Sequence, residues 1–203
     1  FVFQHKIMGF RSVISKQLAA FNSKRIIREA GNAVSFQEKI LKSIIAAASN
    51  TTFGKEHNFG IINSYAHFVT NVPVTDYENI KPYIEQISSG VENVLWPGLP
   101  IFFAKTSGTT SGVKYIPISK QSIHNHIDST RNALLMHIYK TGNSAFTGKK
   151  MIFLQGSPQL ELHGKIKTGR LSGIAAHYVP AYLQKNRLPS WRTNCIEDWE
   201  EKV

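Results

Sequence analysis

Ile101-Phe102-Phe103-Ala104-Lys105-Thr106-Ser107-Gly108-Thr109-Thr110-Ser111-Gly112-Val113-Lys114-Tyr115-Ile116-Pro117-Ile118 places two short apolar runs on either side of seven consecutive Thr, Ser and Gly residues. The first run follows Pro97 and Pro100 and reads as a buried strand over 101–104; Lys114 to Ile118 reads as a second. Glycines let backbone N–H groups approach an anion closely, and hydroxyls add donors that rotate to meet its oxygens. Lys105 and Lys114 supply point charges on both flanks. Ser/Gly/Thr runs are also common linkers, but this one joins two apolar strands. The stretch 105–114 is therefore read as a phosphate-binding loop. A Walker A loop needs glycine directly before its lysine and a helix after it; here Val113 precedes Lys114 and a strand follows. No Gly-x-Gly-x-x-Gly follows a strand. Ser111-Gly112-Val113-Lys114 fits Ser-x-x-Lys, yet that serine must open a helix, which Ile116-Pro117-Ile118 forbids.

Upstream, helices dominate. An amphipathic segment over about 7–29 is closed by Gly31, and Ser35 with Glu38 forms a capping box before the stripe Phe36, Ile40, Leu41, Ile44, Ile45 and Ala48. Residues 51–60 carry turn chemistry. Thr75 and Glu78 make a second capping box for a helix with Ile80, Ile84 and Ile87, which Pro82 should kink or restart. Downstream, Ser119 caps a long helix over about 119–140, with Ile123, Ile127, Leu134, Leu135 and Ile138 at helical spacing and Gly142 at its end. Met151–Leu154 reads as a buried strand and 174–179 as another. Asn194 is the expected N-cap of a last helix with acids in its first turn. The expected fold is α/β, with a helical region over 1–95 and an α/β part over 96–203 that contains the loop.

The chain has 203 residues, 42% hydrophobic and 18% charged, an ordinary globular mixture. No apolar run approaches membrane-spanning length, and one cysteine, Cys195, excludes a disulfide framework and a cysteine-based zinc site. A cytoplasmic location is the default expectation. The formal charge of +11 suits nucleic acid, an anionic membrane or phosphorylated small ligands. The basic residues are scattered, with no run of five or more, and no RNP or zinc-finger pattern accompanies them. The sequence opens at Phe1 and stops at Val203 inside a helical pattern, so it reads as the amino-terminal part of a longer protein.

Thr106-Ser107-Gly108-Thr109-Thr110 with Lys114 resembles the phosphate loop of adenylate-forming enzymes, commonly Thr-Ser-Gly-Thr-Thr-Gly-x-Pro-Lys. Ser111 and Val113 depart from that pattern and point to the GH3 acyl acid–amido synthetases and their bacterial relatives. Val72-Pro73-Val74-Thr75-Asp76-Tyr77-Glu78-Asn79-Ile80-Lys81-Pro82-Tyr83-Ile84 is similar to a segment of that family, as are Thr52-Phe53-Gly54-Lys55 and Phe59. The resemblance implies the amino-terminal portion of the large domain of an adenylate-forming enzyme. It implies that ATP and Mg2+ activate a carboxylic acid as an acyl-adenylate, which an amine or amino acid then attacks. Thr106, Ser107, Gly108, Thr109, Thr110 and Lys114 would hold the phosphates. The remaining carboxyl-terminal part of the protein would supply the rest of the machinery, so these residues alone would be inactive. No catalytic residue and no protein metal ligand is assigned.

Alternative readings are an acyl-CoA-forming member of the same superfamily and a non-enzymatic basic nucleic-acid-binding module. Against the second, Phe102, Phe103 and Tyr115 lie in apolar runs that read as core. In the helix after the loop, His124 and His126 are two residues apart and point in different directions, which argues against a shared metal. His126 and His137 read as partly buried side chains, Arg131 as a surface ion-pair member, and Cys195 as a small buried thiol.

Overall fold

Up to Ser89 every element of the described chain is helical. In the computed structural model, which describes residues 2–108, 112–153, 155–196 and 198–202, α1 spans Val2–Gly31 and α2 Ala33–Ala48. Next come α3 (Thr52–Glu56), α4 (Tyr65–Asn71) and α5 (Tyr77–Ser89). Strands β1 (Phe102–Lys105) and β2 (Tyr115–Ile118) flank the Ser/Gly/Thr loop, and α6 (Ile123–Thr141) ends at Gly142 in the left-handed region. The remainder holds β3 (Met151–Ile152), β4 (Glu161–His163), β5 (Ile166–Gly169), α7 (Leu171–Ala176), α8 (Ala181–Gln184), β6 (Arg187–Leu188), α9 (Trp191–Asn194) and α10 (Trp199–Lys202).

These elements form two units that interleave along the chain. One holds Asn32–Gln121 together with Leu160–Arg170; the other holds α1, the stretch 122–159 and the chain from Leu171 onward. In the first unit the strand order is β2-β1-β5-β4, with β1 antiparallel to β2 and parallel to β5. One core gathers Ile84 and Ile87 of α5 with Val94, Phe103 and Ile166; a second gathers Ile45, Ala48, Phe59 and Ile62. The carboxyl end of α5 presses on the β4–β5 turn, where the Lys165 N–H donates to the Ser88 carbonyl at 2.9 Å. In the second unit α1 packs on α6, with Asn22 Nδ2 donating to Asn132 Oδ1 at 2.8 Å, and β3 pairs in parallel with β6.

Several local expectations need correction. Helix α2 begins at Ala33 after Asn32, so Ser35 lies inside its first turn. Residues 51–60 form more than turns: Thr51 Oγ1 accepts the Gly54 N–H and starts α3, and a 3₁₀ turn follows at Phe59–Ile61. Asp76, not Thr75, caps α5, accepting from the Asn79 N–H at 3.2 Å and from its Nδ2 at 2.9 Å; a carboxylate suits a helix N-terminus better than a hydroxyl does. Helix α5 runs through Pro82 without restarting. The proline forfeits one intrahelical bond, and the buried Ile84 and Ile87 beyond it hold the helix in register.

Helix α6 starts about one turn after Ser119. Strand β3 is shorter than expected and leaves Ile152 73% exposed, while Leu154 lies outside the described residues. Residues 174–179 form the end of α7 and the turns after it, not a strand. A short apolar run carries no period to separate the two states. Here Gly173 lets α7 approach the Ser157 carbonyl, where a Cβ would stand 2.1 Å from the oxygen. Asn194 is the buried last residue of α9, which Ser190 caps, and Asp198 Oδ1 accepts the Glu201 N–H at the start of α10.

Candidate functional site

The register of the β1–β2 hairpin fixes the mouth of the loop. Pairing runs from Phe102 opposite Ile118 to Lys105 opposite Tyr115. One step further, the Thr106 N–H donates to the Lys114 carbonyl at 3.0 Å, and the Lys114 N–H donates to Thr106 Oγ1 at 3.1 Å. Thr106 thus closes the loop with backbone and side chain. Gly108 and Gly112 have φ of 71° and 79°, a region glycine enters without strain. A Cβ on Gly108 would stand 3.0 Å from the Val113 nitrogen, so the loop folds tightly on itself there. Ser107 is exposed. Thr109 and Thr110, with Ser111, lie outside the described residues.

The two flanking lysines have different surroundings. Lys105 Nζ lies 2.7 Å from Glu161 on β4, so its charge is partnered. Lys114 Nζ sits 5.6 Å from the centre of the Tyr77 ring, a cation–π contact that leaves the ammonium able to meet an anion. The Tyr77 hydroxyl accepts the Tyr115 N–H at 2.9 Å. Tyr115 in turn stacks on His163, ring centres 3.8 Å apart, and both lean edgewise on the fully buried Phe103.

This donor set suits a polyphosphate: hydroxyls, a close-approaching backbone and one ammonium, with no carboxylate anywhere in 101–118. Among the described residues no group of three or more His, Cys, Asp or Glu is placed to hold a metal ion.

The structure brings Thr106, Ser107, Gly108 and Lys114 to one hairpin mouth. It also adds Tyr77 and His163, which sequence reasoning did not single out. In the sequence Tyr77 is visible only as part of the segment 72–84, and its contact with Tyr115 crosses 38 residues. The other candidates lie in the second unit. His124 and His137 are exposed, which corrects the partly buried reading of His137, and the His137 ring leans on Phe146. His126 is half-buried. Arg131 pairs with Asp128 at 3.1 Å on the surface, and Cys195 is half-buried rather than fully enclosed. Phe103 is core and offers no stacking platform. No described helix is long and apolar enough to cross a membrane.

Comparison with known proteins gives the family of the chain. The GH3 family N-terminal domain matches residues 22–202. Indole-3-acetic acid-amido synthetase GH3.15 of Arabidopsis thaliana is 31% identical over 124 residues, 60% of this chain and 20% of the relative. Jasmonoyl–L-amino acid synthetase JAR6 of Nicotiana attenuata is 25% identical over 167 residues, 78% of this chain and 28% of the relative. The solved structure of a GH3.15 acyl acid amido synthetase superposes with a TM-score of 0.70 at 19% identity, covering 89% of this chain and 32% of that one. A complex of the Arabidopsis GH3.15 enzyme with 2,4-DB gives 0.67 at 21% identity, covering 82% and 29%. At these identities the superpositions speak to the fold: a mixed sheet with packed helices after a helical start. The chain spans about a fifth to a third of the length of these relatives. With a family match across nearly its whole length, the chain belongs to the GH3 family.

Proposed function

We propose that this chain carries the phosphate-binding part of an ATP-dependent acyl acid–amido synthetase. The observation that carries the reading is the carboxylate-free, glycine-turned loop closed by Thr106 and Lys114 between two sheet strands of a GH3 domain. ATP, with Mg2+ on its phosphates, would supply the activation of a carboxylic acid as an acyl-adenylate, and an amine or amino acid would accept the acyl group.

The part of this chain in that chemistry is to hold and orient. The hydroxyls of Thr106, Ser107, Thr109 and Thr110 donate to phosphate oxygens, Gly108 lets the backbone approach them, and Lys114 offsets negative charge. Donors aimed at the charge that gathers on the leaving pyrophosphate lower the barrier without reorganising. The carboxyl-terminal remainder of the protein would complete the adenine, ribose and acyl sites.

The test is ATP–pyrophosphate exchange by the full-length protein across a panel of aryl and aliphatic carboxylic acids, with Ser107→Ala and Thr110→Ala as loop variants. Acid-dependent exchange that falls at least about tenfold in the variants is expected, the loss that removing one transition-state donor brings or exceeds. An absence of ATP binding by the folded protein would overturn the assignment.

A further inference from the structure

The β1–β2 hairpin has one free edge, and that edge is already answered. Because Thr106 and Lys114 form a hydrogen-bonded pair, the alternation of an antiparallel ladder turns the N–H positions of Tyr115 and Pro117 outward, away from β1. Pro117 has no N–H to offer. The Tyr115 N–H is taken by the Tyr77 hydroxyl at 2.9 Å. Tyr77 is itself the first residue of α5, whose start is fixed by the Asp76 cap and whose end is docked on the β4–β5 turn through Ser88. The same Tyr77 ring carries the Lys114 ammonium at 5.6 Å. One side chain therefore meets both the backbone leaving the loop and the Lys114 ammonium.

We infer that Tyr77 is a positioning residue for the phosphate loop, setting through its ring where the Lys114 ammonium stands, while its hydroxyl satisfies the edge N–H of Tyr115. The inference rests on the phosphate-binding reading of the loop and deepens it. Tyr77 touches no phosphate itself. Its ring face holds the lysine stem and ammonium on one side and leaves the other side of the ammonium open to an anion, so ordering the lysine is done before the ligand arrives.

The experiment measures MgATP affinity by calorimetry on the full-length protein and on Tyr77→Phe, Tyr77→Leu, Lys114→Ala and the Tyr77→Leu/Lys114→Ala double variant, with amide hydrogen exchange read at Tyr115. Tyr77→Phe keeps the ring: affinity stays within about twofold, while exchange at Tyr115 rises because its acceptor is gone. Tyr77→Leu loses the ring, and affinity falls about two- to fivefold, the equivalent of ~0.5–1 kcal/mol for an exposed cation–π contact. The double variant binds no more weakly than Lys114→Ala alone, since Tyr77 acts through that lysine. Additive losses, or a Tyr77→Leu protein that melts earlier yet binds MgATP as the parent does, would overturn the positioning role and leave a structural one. A folded parent that fails to bind MgATP would overturn the phosphate-loop reading and this inference with it.

Discussion

Gly164 is the position where one added methyl group should do the most damage to the sheet that carries the loop. Its φ is 60°, and a Cβ there would stand 2.1 Å from the Ser88 carbonyl oxygen and 2.3 Å from Ser88 Oγ. The oxygen belongs to the backbone at the end of α5, so it cannot rotate away. Gly164→Ala would force the β4–β5 turn and α5 apart by about an ångström to restore ordinary contact. Three costs follow: ~1–2 kcal/mol for an L-residue in the left-handed region, ~1 kcal/mol for the lost bond from the Lys165 N–H to Ser88, and about 1 kcal/mol of disturbed packing around Ile87 and Ile166. The sum is about 3–4 kcal/mol. At about 2–4 °C per kcal/mol for a chain of this size, the melting temperature should fall by roughly 6–16 °C. Gly98→Ala is the matched control: its φ is 74° but no atom lies within 4 Å of the added carbon, so only the backbone cost of ~1–2 kcal/mol remains. Thermal unfolding followed by circular dichroism separates the two. Equal losses in both variants would refute the reasoning, because the approach of Ser88 would then carry no energy.

Ser23 is fully buried and its Oγ has no hydrogen-bond partner, so Ser23→Ala should stabilise by about 1 kcal/mol through relief of an unmet donor and better helix propensity, read as a higher denaturant midpoint. The Tyr83 hydroxyl donates to Glu56, and that bond, then desolvation, then the Glu56 charge, push its ionisation above the usual tyrosine value of 10.0. A group whose folded pKa is raised contributes stability below the unfolded value and loses it as pH rises through the folded one. The stability difference between parent and Tyr83→Phe should therefore be constant below pH 9 to 10 (roughly the unfolded tyrosine range) and shrink above it, as denaturant titrations at stepped pH would record. Lys105→Ala should leave MgATP affinity within about twofold and cost roughly 0.5 kcal/mol of stability, the worth of a half-exposed ion pair, because Glu161 already partners that ammonium; calorimetry showing a loss as large as that of Lys114→Ala would contradict this.

The hairpin was legible because two apolar runs bracket a stretch that can be neither core nor helix, and the structure pairs those runs from Phe102 to Ile118. Helix α5 was legible from its stripe, with its cap one residue away at Asp76, since neighbouring Thr and Asp compete for the same N–H. What the sequence hides is distance. Strands β4 and β5 alternate weakly, and the turn between them is marked by Gly164 alone; the parallel pairing of Phe103 with Thr168 has no local signal. The contact of Tyr77 with Tyr115 is hidden for the same reason, because nothing in either residue's own segment announces the other.

The interleaving of the two units carries a consequence for biogenesis. Strand β1 leaves the ribosome with β2 close behind, but its parallel neighbour β5 follows only after all of 122–159, which belongs to the other unit. The hairpin that frames the loop is therefore made early and must wait, one flank of β1 unsatisfied, while the stretch that carries α6 and β3 is synthesised. Long-range parallel pairing of this kind is slow to form and open to mispairing until it does. Tyr77 and Pro117 cover the outer edge throughout that interval, so the flank of β1 at Phe103 is the one that stays open until β5 arrives.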